Sequence, residues 1–324
     1  MTKYVISGYI GFDNFGDEAI VGVLVNHLKK ISAGKITVLS ANPSKTSNLY
    51  GVEATFMLDF VRPIITSDVL ISGGGSLLQD ITSLKSLMYY LAVIMTAIIF
   101  RKKVIVFAQG FSKFRTRIGK NLAKFVLKRC EKVTVRDNQS LDYLKSLGIE
   151  ATLVTDPVFG ITILPTREHK GIGVQLRNCR GLGNEFLISL AEEIAEKFKK
   201  EEIKLFSFQD SIDLPIIEKF AEFLTSYGCI VKIYKNLSVA EVILEVSKLE
   251  YFIAMRFHGC LISAKSGVKT LGINYDKKVQ TLSENIGFPV INMYGCEVKT
   301  GIDKLLAQTP EMYKIPEFSL DAFN

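Results

Sequence analysis

Residues that bind metals are scarce in this chain of 324 amino acids, which has three histidines and five cysteines. The cysteines are Cys130, Cys179, Cys229, Cys260 and Cys296, with no CxxC pair and no histidine at ligand spacing. This pattern argues against a structural zinc site, and an odd, scattered set of cysteines is typical of reduced thiols in the cytosol. We therefore expect a cytoplasmic protein without a bound metal.

Long apolar runs are also missing. The longest uncharged stretch, residues 86–100, has 15 residues, whereas a helix that crosses a bilayer needs about 20. Residues 1–10 lack the charged start, the apolar core and the cleavage site of a secretory leader. These features predict a buried helix at 86–100 and no membrane span.

Positive charge is concentrated in one segment. The chain carries a net charge of +7, and residues 101–132 hold eleven lysines and arginines against one acid, Glu131. Lys120, Lys124 and Lys128 are spaced four apart, so one interpretation is the solvated face of a helix. The other is contact with an anionic surface. No nucleic-acid-binding motif is present, and nucleic acid is not an expected partner.

Short apolar runs alternate with amphipathic segments, which predicts βαβ units and parallel sheets. Strands are predicted at 3–7, 35–40, 68–72, 103–109, 132–136, 152–154, 171–176, 203–208, 229–234, 251–254 and 270–274. Helices are predicted at 19–30, 116–128, 140–147, 184–200, 213–228 and 239–248, and one more ends near 264. The predicted class is α/β, with two Rossmann-like domains and an interdomain cleft in a GT-B-like arrangement. The domains are residues 1–165 and 166–298, and residues 299–324 form a closing segment.

Candidate site residues follow the predicted strands, because parallel sheets bind ligands beyond the carboxyl ends of their strands. The first such loop, GYIGFDNFGDEAI at 8–20, is glycine-rich but matches neither GxGxxG nor GxxxxGK[ST]. It carries Asp13, Asp17 and Glu18, whose charges would repel a diphosphate and instead suit hydroxyl groups. The alternative is that Asp17 caps the following helix and that the charge of Glu18 interacts favourably with the helix dipole.

Basic residues end several of the predicted strands. Arg136 ends KVTVR, Arg177 ends GVQLR, and Arg256 and His258 follow YFIAM. Residues two apart share a face of an extended chain, so Arg256 and His258 could meet one ligand. Arginine binds carboxylate or phosphate in bidentate fashion. These residues therefore indicate an anion-binding site.

Each of these features also has a purely structural interpretation. His258 can be a satisfied histidine at the start of a helix, and Arg136 can pair with Asp137 or Asp156. The three glycines at 73–75 can form a tight turn, although three in succession favour close approach of a ligand or of backbone. The residues alone leave these alternatives open.

Taken in order, six blocks of the sequence resemble the polysaccharide pyruvyl transferases. They are GYIGFDNFGDEAI, DVLISGGGSLLQD, FAQG, VTVRD, GVQLR and AMRFHG followed by GVKTLGINYDKKV, and they span residues 4–290. The CsaB-type enzymes, which ketalise cell-wall polymers, are the most similar members. The resemblance implies a GT-B-like fold, phosphoenolpyruvate as the pyruvate donor, a sugar acceptor, and no cofactor or required metal.

The resemblance also implies roles for individual residues. His258 is the expected acid or base, and Arg136 and Lys278 complete the catalytic set. The expected phosphoenolpyruvate-binding residues are Arg256, Arg136, Lys278 and Gly259, and the expected acceptor-binding residues are Asn14, Asp13, Asp17, Gly74, Gly75, Gln79 and Gln109. Lys277 stands where the family has proline, so Lys278 keeps the register of the motif. The expected reaction protonates the enol carbon, adds a sugar hydroxyl, releases phosphate and closes a cyclic ketal.

The expected acceptor, again by resemblance, is a lipid-linked glycan with an N-acetylmannosamine-type residue. Segment 101–132 would then bring the enzyme to the anionic inner face of the cell membrane. Two alternatives remain. One is a GT-B glycosyltransferase using a nucleotide sugar, suggested by the small-residue segment 263–272. However, the glutamate that commonly binds ribose in those enzymes would fall near Ile262. The other is an inactive scaffold, which the intact basic residues argue against.

Overall fold

Two parallel sheets, each flanked by helices, make up the structure. The computed structural model describes residues 1–31, 34–81, 83–166, 169–293 and 297–318. These residues divide into two compact units. The first begins at Met1 and ends at Ile161, the second is Thr162–Pro316, and Glu317 and Phe318 again belong to the first.

The described part of the first unit contains a seven-stranded sheet. Its strands are β1 Tyr4–Ser7, β2 Ile36–Ser40, β3 Glu53–Phe56, β4 Val69–Gly73, β5 Lys103–Gln109, β6 Lys132–Val135 and β7 Thr152–Leu153. Its helices are α1 Phe15–Lys30, α2 Pro43–Tyr50, α3 Val61–Ile65, α4 Leu84–Ile99, α5 Arg117–Leu127 and α6 Asn138–Ser146. The parallel strands are ordered β3-β2-β1-β4-β5-β6-β7. The order reverses between β1 and β4, and such a switch point is where α/β sheets bind ligands.

The second unit repeats this plan with six strands among its described residues. They are β8 Ile172–Gln175, β9 Glu202–Phe206, β10 Ile230–Tyr234, β11 Tyr251–Ala254, β12 Lys269–Asn274 and β13 Val290–Asn292. The helices are α7 Asn184–Phe198, α8 Asp210–Ser226, α9 Val239–Ser247, α10 Phe257–Lys265, α11 Lys277–Ile286 and α12 Val298–Leu306. The strand order is β10-β9-β8-β11-β12-β13, so the switch point lies between β8 and β11.

The apolar runs form the centre of each sheet. Every residue of β4 is buried, and its neighbour β1 is buried from Val5 onward, as expected of strands covered by helices on both faces. Residues 86–100, predicted as a buried helix, largely coincide with α4, whose Leu87, Tyr90 and Ile94 enter the core of the first unit. Among the described residues, no helix is long and apolar enough to cross a membrane.

The predicted α/β class with two Rossmann-like sheets is confirmed. Predicted strands 103–109 and 251–254 coincide with β5 and β11. The sequence pattern misses β3, α2, α3, α11 and β13. The strand β3 contains no buried residue, and α2 buries only Thr46. Such partly exposed edge elements lack the apolar periodicity on which prediction depends.

The observed division of the chain differs from the predicted boundaries. The units separate after Ile161 rather than at residue 165. Residues 299–324, predicted as one closing segment, are shared: α12 adds Ile302 and Leu305 to the core of the second unit, whereas the carbonyl of Glu317 accepts from Thr155 Oγ1 at 3.0 Å in the first. The periodicity of a helix does not reveal which sheet it covers. Residues 319–324 and Cys296 lie outside the described residues.

Gly173, in β8, lies in a tightly packed part of the second unit's core. A Cβ on this residue would stand 2.5 Å from Leu249 and 2.8 Å from Phe252, both completely buried. We expect Gly173→Ala to lower the free energy of unfolding by about 1–3 kcal/mol, because a filled core cannot take the methyl group. Gly22→Ala in α1, where a Cβ meets only Tyr50 at 3.6 Å, should instead be neutral or stabilising. Urea denaturation of both variants measures this, and equal effects would contradict it.

Candidate functional site

An asparagine begins α1 at the end of the loop after β1. The Asn14 side chain accepts a hydrogen bond from the Gly16 N–H at 3.1 Å, so Asn14 is the N-cap. The alternative that Asp17 caps this helix is therefore wrong. Asp17 lies in the first turn, where a carboxylate interacts favourably with the helix dipole.

Asp13 and Asp17 lie in different surroundings. Asp13 has a positive φ of 57° and its exposed carboxylate pairs with Lys45 Nζ at 2.7 Å. The Asp17 Oδ1 atom lies 2.6 Å from the position a Cβ would occupy on Gly75. Gly74 and Gly75 have φ values of 61° and 70°, a left-handed conformation that glycine adopts without strain. The fold thus brings the first-turn carboxylate onto the glycine turn after β4.

Glu18 fixes the conformation of this loop, a role that the sequence did not indicate. It is buried, and its carboxylate accepts hydrogen bonds from the Gly11 N–H at 2.7 Å and from the Tyr50 hydroxyl at 2.7 Å. Burial raises the pKa of Glu18, and the hydrogen bonds from Tyr50 and Gly11 oppose this shift only in part. The carboxylate therefore joins the loop, α1 and the end of α2.

Gln109 and Gln79, both predicted to bind the acceptor, are less exposed than a sugar-binding surface would require. Gln109 is completely buried at the end of β5 and donates to Ser72 Oγ at 2.9 Å. Its amide oxygen and the hydroxyl of Ser7 have no hydrogen-bond partner among the described residues. Gln79 is half-buried and accepts from the Ile81 N–H at 2.8 Å. Gln109 thus lies beneath the loops, and a direct acceptor contact by either glutamine stays a prediction.

Arg136 forms a buried ion pair at the end of β6. Its Nη1 lies 2.6 Å from Asp156 Oδ2, and both side chains are almost fully buried. Asp156 Oδ1 also accepts from the Val158 N–H at 3.0 Å. Of the alternatives for Arg136, pairing with Asp156 is the one observed, while Asp137 instead caps α6. Contact between Arg136 and phosphoenolpyruvate stays a prediction.

Arg256 is held in one orientation at the switch point of the second unit. Its Nε and Nη2 donate to the two carboxylate oxygens of Asp213 at 2.9 and 2.7 Å, and Nη2 also donates to Gln209 at 3.3 Å. Its backbone N–H donates to the Gln175 side chain at 2.8 Å. Asp213 is completely buried. These contacts use one edge of the guanidinium and fix the direction of the other.

His258 and Gly259 lie in the first turn of α10. The partly exposed His258 ring makes an edge contact with Phe257, with centroids 5.0 Å apart. Gly259 is buried, and its N–H donates to the carbonyl of Arg256 at 2.9 Å. A Cβ on Gly259 would lie 3.2 Å from Ala254. Gly259 therefore allows the helix to pack closely on β11, and its predicted contact with donor stays a prediction.

Arg177 and Tyr275 join Arg256 in a cluster that sequence reasoning did not assemble. Arg177 Nη1 donates to the Tyr275 hydroxyl at 3.0 Å. Burial raises the pKa of Tyr275, and the charges of Arg177 and Arg256 oppose the shift, so both guanidinium groups act on this one hydroxyl. Arg177 Nε is buried without a hydrogen-bond partner among the described residues. The available signal was position: these residues follow β8, β11 and β12, which are adjacent strands.

Lys278 is the second residue of the neighbouring helix α11 and is more exposed than Arg256. Its Nζ lies 3.9 Å from Asp276 Oδ2, and about a third of its side chain is exposed, 37%. Asp276 caps α11, and Lys277 is exposed. No group of three or more His, Cys, Asp or Glu side chains that could hold a metal ion occurs among the described residues.

Comparison with protein families gives one match that covers most of the chain. The model described as polysaccharide pyruvyl transferase matches residues 14–277. This range begins at Asn14, the last residue of the loop after β1, and includes the arginine cluster and His258. Comparison with curated proteins found no match.

Comparison with solved structures shows the fold. UDP-GlcNAc 2-epimerase from Methanocaldococcus jannaschii has a TM-score of 0.66 at 12% identity, covering 98% of this chain and 96% of that one. MnaA of S. aureus, solved with UDP, has a TM-score of 0.67 at 10% identity, covering 97% and 90%. A glycosyltransferase from Rickettsia africae has a TM-score of 0.60 at 13% identity, covering 94% and 88%. These likenesses confirm the predicted GT-B-like fold class and carry no more than that.

The raised pKa of Glu18 predicts a pH dependence of stability. An acid whose pKa is higher in the folded state binds its proton more tightly there, so its contribution to stability falls as pH rises through the window. That window runs from the ordinary carboxyl value, about 4.3, up to the raised folded value. Wild type should lose about 1.4 kcal/mol of unfolding free energy per pH unit inside this window relative to Glu18→Gln.

Urea denaturation of both proteins between about pH 4 and pH 7 measures this difference. Glu18→Gln also disturbs two hydrogen bonds, which adds an offset that does not change with pH, so the slope is the readout. Glu222→Gln, at an exposed position of α8, is the matched control. Parallel curves for wild type and Glu18→Gln would contradict the prediction.

Proposed function

Because the chain belongs to the polysaccharide pyruvyl transferase family, we propose that it transfers pyruvate from phosphoenolpyruvate to a sugar as a cyclic ketal and releases phosphate. The observation that carries this proposal is the cationic cluster at the switch point of the second sheet. Phosphoenolpyruvate is a small anion with a carboxylate and a phosphate, so it requires several cations in fixed positions.

Arg256 is suited to bind one anionic group of the donor. Its pair with Asp213 orients the guanidinium before any ligand arrives, and preorganised charge is the most effective kind for stabilising developing charge. Arg256 is also the N-cap of α10, with no side-chain cap hydrogen bond. The N-terminus of a helix attracts phosphate, so the helix and the guanidinium favour the same ligand.

Arg177 and Lys278 supply the further charge. The Nη1 of Arg177 is held by the Tyr275 hydroxyl at 3.0 Å, and its planar group suits a carboxylate. Lys278 is partly exposed beside Asp276, and its flexible side chain can follow a phosphate as it departs. We assign the donor carboxylate and phosphate to this set without dividing them between its members.

The proposed reaction starts with protonation of the donor's CH2 carbon, which leaves positive charge on C2. A sugar hydroxyl adds to C2, a second hydroxyl displaces the phosphate, and the cyclic ketal closes. The two sugar hydroxyls release two protons: one replaces the proton that was added to the CH2 carbon, and the other leaves with phosphate. His258 is the proposed acid and base, because imidazole exchanges protons near neutral pH.

The loop after β1 is the proposed acceptor-binding surface. Asp13 is exposed, Asn14 ends the loop, and Asp17 lies on the turn of Gly74 and Gly75. Carboxylates and amides accept hydrogen bonds from sugar hydroxyls, which fits this surface better than a second anion would. We propose an N-acetylmannosamine-type residue of a lipid-linked glycan as the acceptor.

The test is incubation of the protein with phosphoenolpyruvate and a panel of lipid-like aminosugar acceptors. Phosphate release, together with a product whose mass and NMR spectrum show a pyruvate ketal, is the expected result. Release of UDP or GDP from nucleotide sugars, with no consumption of phosphoenolpyruvate, would instead identify a glycosyltransferase. Binding of phosphoenolpyruvate without any product would identify an inactive scaffold.

His258→Gln should lower kcat by about 100- to 10,000-fold, the usual contribution of a general acid or base. The KM for phosphoenolpyruvate should change little, because the arginines remain. His27→Gln in α1 is the control and should retain full activity. Unchanged turnover in His258→Gln would remove this residue from the mechanism.

Arg177→Met should raise the KM for phosphoenolpyruvate by roughly 10- to 100-fold, since a hydrogen bond to a charged group contributes about 1.5–3 kcal/mol. Arg180→Met, three residues further along the same loop and exposed, is the matched control and should behave as wild type. Steady-state kinetics and thermal unfolding of both variants separate lost binding from lost folding. An unaltered KM in Arg177→Met would exclude Arg177 from the donor site.

A further inference from the structure

The helix α5 carries two large apolar side chains on its solvent side. Gly119, Ala123, Val126 and Leu127 form its buried side. Ile118 and Phe125 lie seven residues, or about two turns, apart, and so lie on one line of the helix about 10 Å from each other. They are 67% and 48% exposed. A solvent-facing line of this kind is unusual in a helix that already has an apolar buried side.

Cations flank this apolar line. The α5 face consists of the exposed residues Arg117, Ile118, Asn121, Phe125, Lys128 and Arg129. Among the described residues, no ion pair involves a cation of this face. Arg129 lies on one flank of the line, with its guanidinium 3.6 Å from the centre of the Phe125 ring. Arg117 and Lys128 lie on the other.

Hydrogen bonds to the buried carboxylate of Asp80 fix the position of the start of α5. Asp80, which is buried, accepts hydrogen bonds from the Arg115 N–H at 2.6 Å, the Thr116 N–H at 2.8 Å and the Thr116 hydroxyl at 2.6 Å. Thr116 is in turn the N-cap of α5. Burial alone would raise the pKa of Asp80, but these hydrogen bonds outweigh it and lower the pKa. The carboxylate therefore stays ionised and holds the helix.

The end of α4 adds apolar surface at one edge of the same sheet. Ile99 is 67% exposed, and Phe100 and Arg101 are also exposed. They immediately precede β5, while Lys128 and Arg129 of the α5 face immediately precede β6. Because β5 and β6 are adjacent parallel strands, both sets lie at the amino edge of the sheet. The combination of apolar and cationic groups thus extends beyond one helix.

We propose that the α5 face docks on a bilayer that contains anionic lipid, with Ile118 and Phe125 inserted among the acyl chains. Lysine and arginine beside inserted aliphatic and aromatic side chains are characteristic of interfacial helices. Each cation near an anionic bilayer strengthens binding, and salt screens this attraction. A nucleic acid would use the cations but would leave Ile118 and Phe125 in water, so lipid accounts for more of the face.

The docked orientation has a consequence for the acceptor, which rests on the proposed function. Asp80 belongs to the same loop as Gly74 and Gly75, and it holds the N-terminus of α5. A bilayer that contacts the N-terminal end of α5 would therefore lie on the side of the sheet where that loop lies, its carboxyl edge. A lipid-linked acceptor would reach that loop without leaving the membrane.

Flotation with vesicles tests the surface. The full chain should float with phosphatidylcholine vesicles containing about one third phosphatidylglycerol and not with phosphatidylcholine alone, and salt should weaken the binding. Ile118→Ser and Phe125→Ser should each weaken it by about tenfold, because an inserted apolar group is returned to water. Arg117→Gln and Lys128→Gln should each weaken it by about fivefold, the equivalent of about 1 kcal/mol per charge.

Matched controls separate this face from general stickiness. Leu244→Ser removes an equally exposed apolar side chain from α9, and Lys200→Gln removes an exposed charge beyond α7. Both should bind vesicles as wild type does. Thermal unfolding of every variant excludes lost folding as the cause of lost binding.

Several outcomes would overturn the proposal. One is equal flotation with neutral and anionic vesicles, and another is variants of the α5 face that bind vesicles like wild type. A third is that the protein binds duplex DNA tightly instead of vesicles and that Phe125→Ser does not change this binding. Conversion of a dimer to a monomer by Phe125→Ser in sedimentation would assign the face to a second copy of the chain.

The two proposals fail independently. Pyruvate transfer to a short-chain, soluble acceptor without vesicle binding would leave the function standing and remove the docking face. Vesicle binding that depends on Ile118 and Phe125, without any pyruvate transfer, would do the reverse. If both hold, Phe125→Ser should slow transfer to a vesicle-embedded acceptor and leave transfer to the soluble acceptor unchanged.

Discussion

The buried ion pair of Asp213 and Arg256 is the contact on which the arginine cluster depends. Asp213 accepts hydrogen bonds from two backbone N–H groups, of Phe208 and Gln209, and from two nitrogens of Arg256. An ion pair without access to water adds little net stability, because its desolvation is costly. What it provides is direction: the end of β9, the start of α8 and the guanidinium after β11 are held in one arrangement.

The first unit uses the same device with different partners. Arg136 pairs with Asp156, Glu18 accepts from Gly11 and Tyr50, and Asp80 holds the start of α5. In each case a buried carboxylate joins a segment that follows one strand to a segment distant in sequence. The buried acids therefore position the loops. Asp13, by contrast, is exposed and pairs with Lys45 at the surface.

Fold and chemistry carry separate information in this protein. Epimerases and a glycosyltransferase share its fold at identities near one tenth, 10–13%, and a fold of this kind hosts many reactions. The family match covers residues 14–277, and Arg256, His258 and the glycine turn lie within that range, in loops or helix starts that follow strands. The α5 face lies outside these loops, and the docking that we propose for it would affect where the reaction takes place rather than its chemistry.

The sequence by itself determined most of the strands, the longer helices and the loops that follow them, because apolar periodicity and turn residues are local signals. It also placed Arg136, Arg177 and Arg256 at strand ends. The tertiary structure alone decided their partners: Asp213 lies 43 residues from Arg256, and Tyr275 lies 98 residues from Arg177. The tertiary structure also shows that Asn14, and not Asp17, is the N-cap of α1, and that Gln109 is buried. Such choices depend on strand order and on the depth of each side chain, and neither is encoded in any short stretch of the chain.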